Sequence, residues 1–240
     1  MRRDHRPASL KRAYAALERA YVRWRLAPQL DALGQGFHFM KPWFVRVNGP
    51  GITVGDQVHW VAAADRHITL SSWVHPKGQG RITIGNYCLL CPGVRIDSAV
   101  EVTLGDGCMV AAGAYLTDAD WHDLYDRTEV VGASAPIVLE ENVWIGDGAT
   151  VCKGVRIGAH AIVAARAVVT KDVPPFAVVA GNPATVVKTL DPERPRRTRA
   201  ELFADPEGLE AWLRELDNAF LASNTVPGWL RSRLYPRRGD

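Results

Sequence analysis

The sequence predicts a mainly β protein, a parallel β-helix solenoid carrying a helical extension at each end. Three observations predict it. Leu139, Ile145, Val151, Ile157, Val163 and Val169 fall at one six-residue spacing. Four residues after each stands a small or aliphatic partner: Val143, Ala149, Val155, Ala161, Ala167 and Val173. The same spacing recurs upstream in Ile84, Leu90, Ile96 and Val102, and after a two-residue slip in Leu104, Val110 and Leu116. A helix repeats near 3.6 residues and a simple strand every two, so neither produces a run in sixes. Sextets are the mark of short strands wound around an axis in stacked coils. The aliphatic residue points to the axis and the small one fits where flat sides meet. Gly146 and Gly158 follow aliphatic positions, where a tight bend is expected to need φ > 0.

Taken in order, residues 1–46 form a helical N-terminal extension, 47–190 the solenoid and 191–240 a helical C-terminal extension. Leu10, Tyr14, Leu17 and Tyr21 make one helical stripe, which needs a protein surface to cover, either the solenoid or a neighbouring subunit. Val54 and Trp60 mark an irregular start of the repeat, as terminal repeats commonly show. Asn182-Pro183 and the stretch from Asp191 to Pro195 then break regular structure. Residues 206–222 read as a helix with Leu209, Leu213, Leu216 and Phe220 on one face. The last segment, with Trp229, Leu234 and Tyr235, is expected to dock on the solenoid or on a partner subunit.

A single continuous repeat in 240 residues argues for one elongated domain. Net charge is +3 but unevenly placed: residues 1–25 carry eight basic and two acidic side chains, residues 26–187 eleven and fifteen. A solvated helix face accounts for the basic N-terminus better than nucleic acid or an anionic membrane. No stretch has the length of a membrane span, and the charged N-terminus lacks a signal peptide's apolar run, so a cytoplasmic protein is expected. Cys88-x-x-Cys91 has no second pair beside it, which makes metal or redox work a poor reading. Cys88 and Cys108 instead occupy the small-residue register, where a free thiol behaves as a small hydrophobe.

Between Leu116 and Val138 the sextets stop. The interruption gathers Asp118, Asp120, Asp123, Asp126 and Glu129 around His122. A long loop ejected from a compact repeat is usually functional. Calcium is a poor fit, because Asp123 stands where a calcium loop needs its glycine. Zinc is as poor, since His59, His67, His75, His122 and His160 show no paired short spacing. No metal is expected.

Several segments resemble the hexapeptide-repeat acyltransferases, in the branch that holds maltose and galactoside O-acetyltransferases and polysaccharide acetyltransferases. They are Asn142-Val143-Trp144-Ile145-Gly146, Lys153 to Gly158, Val169-Thr170-Lys171-Asp172-Val173-Pro174 and Ala180-Gly181-Asn182-Pro183-Ala184. The resemblance covers about residues 80–190 and implies a left-handed coil, the opposite of the usual crossover hand. It also implies a homotrimer and acetyl-CoA as acyl donor. His122 matches the family's loop base, which takes a proton from an acceptor hydroxyl; a free imidazole near neutrality suits that task. Asp120 or Asp123 would orient the ring, and the N–H of Asp147 would meet the oxyanion. Trp144, Gly146, Ala165, Thr170 and Lys171 match positions lining the pantetheine groove, and Lys188 a cation near the phosphates. Thr185 stands where the family carries a second cation, a departure that weakens the phosphate site. Gly93 stands where sugar-specific relatives carry an acceptor-binding Asn, and Arg95 and Asp97 point to the same region as substitutes.

The expected reaction is acetyl transfer from acetyl-CoA to a hydroxyl of a sugar, glycan or other small acceptor, with no nucleic-acid partner. A non-catalytic solenoid scaffold and a zinc-dependent carbonic anhydrase-like protein remain alternatives. The scaffold does not require the histidine loop, and the anhydrase needs a close histidine pair absent from this sequence.

Overall fold

A computed structural model describes residues 4–238. Three parallel sheets form the faces of a triangular prism. Face A runs from Ala32–Leu33 to Arg156–Ile157, and face C from Val45–Asn48 to Val168–Val169. Face B runs from His38–Met40 to Ala177–Gly181 and closes with the antiparallel strand Ala184–Thr189.

Register follows the sextets. Ile84, Leu104, Leu139 and Ile157 stack on face A. Leu90, Val110, Ile145 and Val163 stack on face B, and Ile96, Leu116, Val151 and Val169 on face C. All twelve are at most 1% exposed, so the axis is a dry aliphatic column whose backbone polar groups are satisfied by the coils above and below. Cys88 and Cys108 are buried free thiols in that column, donating to the carbonyls of Gly105 and Glu140 at 3.2 and 3.1 Å.

Sequence expectations change first at the start of the solenoid and at two glycines. The first coil begins at Ala32 rather than 47, because Ala32–Leu33 already pairs with Thr53–Val54 and His38–Met40 with His59–Val61. Its core is aromatic: Phe39 stacks flat on Trp60 with centroids 4.3 Å apart, so the aliphatic sextet never appears. Gly146 and Gly158, in turn, do not have positive φ. A Cβ on Gly146 would lie 2.5 Å from the Ala165 nitrogen, and one on Gly158 2.4 Å from that of Pro175. Close stacking of coils is what excludes a side chain there. The left-handed residues come two positions later, at Gly148 (φ 61°) and His160 (φ 62°).

The N-terminal cap is α1, Ala8–Tyr21, continued by a π-helical turn, Val22–Leu26. Val22, Leu26 and Leu30 join the solenoid core, while Tyr14 and Tyr21 meet the Trp43 ring edge-on at 5.5 and 6.0 Å. Leu17, expected in the covered stripe, is instead 58% exposed.

After face B ends, the chain turns back along the prism. Leu190 N–H donates to Phe176 at 2.7 Å, the Arg199 side chain to the Tyr87 carbonyl at 2.7 Å, and Phe203 stacks on Tyr87. Two helices follow, α2 (Pro206–Leu221) and α3 (Val226–Leu234). Asp217 of α2 pairs with Lys11, and Asn224 donates to the carbonyls of Asp4 and Arg6, so both termini meet at one end. Of the apolar stripe expected on α2, Leu209 and Leu216 are half-buried and Leu213 and Phe220 are exposed.

Candidate active site

Two segments leave the prism next to each other. A hairpin, Val74–His75 paired with Gly78–Gln79, lengthens the second coil, so that Val54 pairs with the distant Ile84. The histidine loop lengthens the fourth, between Tyr115–Thr117 on face C and Ile137–Leu139 on face A.

Asp118 anchors the loop. It is fully buried, and its carboxylate accepts from the Ser98 hydroxyl (2.7 Å) and the N–H groups of Ala99 (2.7 Å), Val100 (2.8 Å) and Glu101 (2.7 Å). Those donors sit where the previous coil turns from face C to face A, so one carboxylate fastens the loop to the spine. The loop's two arms then pair: Asp120 N–H donates to Ala133, Gly132 to Asp120 and Ala135 to Asp118, at 2.8, 2.8 and 2.9 Å. Gly132 is required at that crossing, since a Cβ would lie 2.4 Å from the His122 carbonyl oxygen. Trp121 donates its indole N–H to the Thr117 hydroxyl at 3.0 Å and packs on a small cluster of Ala99, Ala119 and Val131. His122 therefore follows a fixed residue.

The hairpin braces the far side. The Trp73 and Trp121 rings lie 5.4 Å apart, and Lys77 pairs with Glu129 at 2.9 Å and donates to the Val131 carbonyl at 3.3 Å. Between hairpin and loop lies a cleft of about 130 Å³ lined by His75, Lys77, Thr128 and Val131 among others.

His122 itself is exposed, and no described side chain hydrogen-bonds its ring. The two carboxylates expected to orient it are engaged elsewhere. Asp120 pairs with Lys153 at 2.7 Å. Asp123 accepts from the N–H groups of Asp126 (3.0 Å) and Tyr125 (2.9 Å), which hold it below the usual carboxylate range. Short-range turn bonds within the loop outcompete a link to the ring.

On the outer side of face C, Arg95 stands level with Tyr115, and Asp97 level with Thr117. Asp97, expected to meet the acceptor, is only 2% exposed; it accepts from the Tyr115 hydroxyl at 3.0 Å and pairs with Arg95. Arg95 lies over the Tyr115 ring, 4.7 Å from its centroid, and keeps most of its side chain in solvent. Burial raises the Tyr115 phenol above its ordinary value, which keeps it a donor to Asp97. Of the two substrate candidates, Arg95 is the accessible one.

The positions matched to the acyl donor fall in two places. Trp144, Gly146, Asp147 and Ala165 stack on face B and its corner with face C. Gly146 is buried beneath Ala165 and serves packing rather than contact. Asp147 is exposed; its carbonyl accepts from Arg166 at 2.8 Å, and its N–H donates to none of the described residues. Thr170 and Lys171 lie at the next corner, between faces C and A, and Lys188 stands opposite Val178 on the closing hairpin. Trp144 is 45% exposed, and Ala165, Thr170, Lys171 and Lys188 also reach solvent. An extended thioester arm fits such a surface, an indole and a small side chain with a cation at one end. Within one chain the two corners are separate. Among the described residues no cluster of three or more His, Cys, Asp or Glu could hold a metal ion.

Comparison with known proteins agrees with this architecture. The bacterial transferase hexapeptide profile (six repeats) matches residues 136–171, and the profile for the hexapeptide repeat of succinyl-transferase matches 81–118. Both stretches carry the hexapeptide repeat, and the prism they build is the left-handed parallel β-helix. A Schizosaccharomyces pombe protein bearing an acetyltransferase name is 35% identical over 99 residues, 41% of this chain and 47% of that one. The Staphylococcus aureus 2,3,4,5-tetrahydropyridine-2,6-dicarboxylate N-acetyltransferase is 54% identical over 56 residues, 23% of each chain. The chain thus spans less than half the length of these curated relatives. Among solved structures, the Bacillus cereus N-acyltransferase AntD, in complex with dTDP and 3-hydroxybutyryl-CoA, superposes with TM-score 0.57 at 17% identity, covering 80% of this chain and 96% of that one. A galactoside acetyltransferase in complex with coenzyme A gives 0.50 at 22%, with 72% of each chain covered. Both likenesses concern the fold.

Proposed function

We propose that this protein transfers an acetyl group from acetyl-CoA to a hydroxyl of a sugar or glycan, with His122 as general base, and does so in the cytoplasm as a homotrimer. One observation carries the reading. Among the described residues the only long loop ejected from the spine is fastened by Asp118 and braced by the hairpin, and it holds an exposed histidine. Nothing in solenoid packing calls for that arrangement.

The neutral His122 ring takes the acceptor proton as the hydroxyl oxygen attacks the thioester carbonyl carbon. The N–H of Asp147 meets the developing oxyanion. Collapse breaks the carbon–sulfur bond, the thiolate takes the proton back from the imidazolium, and the products are an acetyl ester and CoA. Trp144, Ala165, Thr170, Lys171 and Lys188 hold the donor. In the proposed trimer the B–C corner of one subunit and the C–A corner of the next form one groove, and cyclic closure completes three such grooves.

An amine acceptor is the second reading, favoured by the N-acetyltransferase name of one relative. The same base would serve it. Incubation with acetyl-CoA and matched hydroxyl and amino sugars separates the two by mass shift and by hydroxylamine, which cleaves the ester but spares the amide. Ester formation is expected. An amide product would replace the hydroxyl assignment, and no CoA release with any acceptor would overturn the enzyme. Light scattering at a monomer mass would overturn the trimer.

A further inference from the structure

The N-terminal cap has a second face that the solenoid does not use. The inner side of α1 and its π-helical extension is occupied by Tyr14, Tyr21, Val22 and Leu26. On the outer side Ala13, Leu17, Ala20 and Trp24 follow at helical spacing, all exposed, with Leu17 at 58% and Trp24 at 75%. Arg12, Arg19, Arg23 and Arg25 flank that stripe and are exposed as well.

The charges that would soften this face are spent elsewhere. Lys11 is paired with Asp217 of α2. Glu18, the one acid between Ala8 and Leu26, turns inward and accepts the Lys41 N–H at 2.7 Å, only 7% exposed. What remains outward is arginine around an indole and a leucine. The Trp24 ring is set edge-on against Tyr21, 6.3 Å between centroids, so its exposure is held by structure.

The C-terminus adds to the same end. Asn224 ties the start of α3 to the carbonyls of Asp4 and Arg6 at 2.7 and 3.0 Å. Beyond it Leu234 and Tyr235 are 69% and 74% exposed, interleaved with Arg233 and followed by Arg237 and Arg238. Residues 26–187, by contrast, carry an acidic excess, eleven basic against fifteen acidic side chains. Positive charge gathers on α1 and on the last turn of the chain, while α2 between them carries Glu207, Glu210, Glu215 and Asp217 against the single Arg214.

We propose that this end docks the protein on an anionic lipid surface. Arginines at a bilayer surface meet headgroup phosphates, while tryptophan and leucine enter the interface below them. The sequence alone favours a merely solvated face; the exposed indole and leucine between arginines do not suit one. Nucleic-acid phosphates would use the charge but leave Leu17 in water. A second copy of the same face would set arginines against arginines. The inference rests on this surface alone, not on the acyl-transfer reading.

The test is co-sedimentation of the full chain with phosphatidylcholine vesicles, with and without phosphatidylglycerol, at two salt concentrations. Binding is expected only with phosphatidylglycerol, weakening as salt rises, with a blue shift in tryptophan emission. The triple variant Arg12→Glu, Arg19→Glu, Arg23→Glu should lose at least about tenfold in vesicle affinity. Trp24→Ser should bind more weakly and lose the shift. Should the triple variant misfold, as judged by circular dichroism, the same three sites changed to Lys keep the charge and should retain binding, while Trp24→Ser still tests the anchor. Equal affinity for both vesicle types, no binding, or wild-type binding by Trp24→Ser would overturn the proposal. So would tighter binding to duplex DNA that Trp24→Ser leaves intact, or a higher-mass oligomer that only Trp24→Ser dissolves.

Discussion

The coils from Leu139 to Val173 and the segment from Asp118 to Pro136 are neighbours in the chain and obey opposite rules. In the coils every inward position is aliphatic or small and every strand is satisfied by the coil above and below. The loop has no strand of its own. It is held by one buried carboxylate, three cross-loop backbone bonds and a brace from the hairpin. This molecule keeps packing and presentation in separate places: the spine sets geometry, and the loop presents a side chain to solvent from a fixed root.

That separation can be broken. Ile145→Ala, in the spine, should cost roughly 2–5 kcal/mol of unfolding free energy by leaving a cavity among rigid neighbours. Acyl transfer per folded molecule should stay near wild type; chemical denaturation paired with activity measures both. His122→Ala should do the reverse, lowering kcat by at least about 10²-fold with a smaller change in KM. Its thermal midpoint and CoA affinity by calorimetry should be unchanged. Near-normal turnover would remove His122 from its role.

Asp118 is where the two regions join, so Asp118→Ala should act on both stability and activity. Losing the carboxylate leaves the Ala99, Val100 and Glu101 N–H groups without their acceptor, a cost of about 1–3 kcal/mol for each one that water does not reach. Activity should fall with it, and hydrogen exchange should rise in residues 118–135 while staying unchanged in the coils. Uniform exchange across both regions would contradict the separation.

The smallest effect belongs to the first coils. Burial, with the His38 ring 4.8 Å away, lowers the pKa of His59 to about 4 from an ordinary 6.5. Between those values the unfolded chain binds a proton that the folded one refuses, so stability is lost as pH falls from 6.5 toward 4. His59→Phe should flatten that acid limb of a melting-temperature profile.

Legibility in the sequence tracks the same division. Leu139 to Val169 announced the fold because one residue type repeats wherever one environment repeats. The first coil was hidden because Phe39 and Trp60 fill their coils with a stacked pair, which no sextet describes. Gly146 was legible as a requirement but misread in cause, since spacing shows where a glycine recurs and not whether φ or a neighbouring backbone demands it. His122 could be found because the period fails around it. Its surroundings could not. Asp118 is one of five acids in that segment, and only the turn at Ala99–Glu101 distinguishes it; Trp73 and Lys77 are remote in sequence from the loop they brace.

The returning C-terminal segment has a consequence for how the molecule comes apart. A linear array of repeats ordinarily frays from whichever end is weaker, each unit feeling only its neighbours. Here Leu190 and Arg196 sit on Phe176 of the last coil, Arg199 and Phe203 on Tyr87 of the third, and Asp217 on the N-terminal cap. The chain closes a loop over its own length, as a buckle does a belt. Opening the last coil therefore loosens the grip on the first, and both ends should let go together.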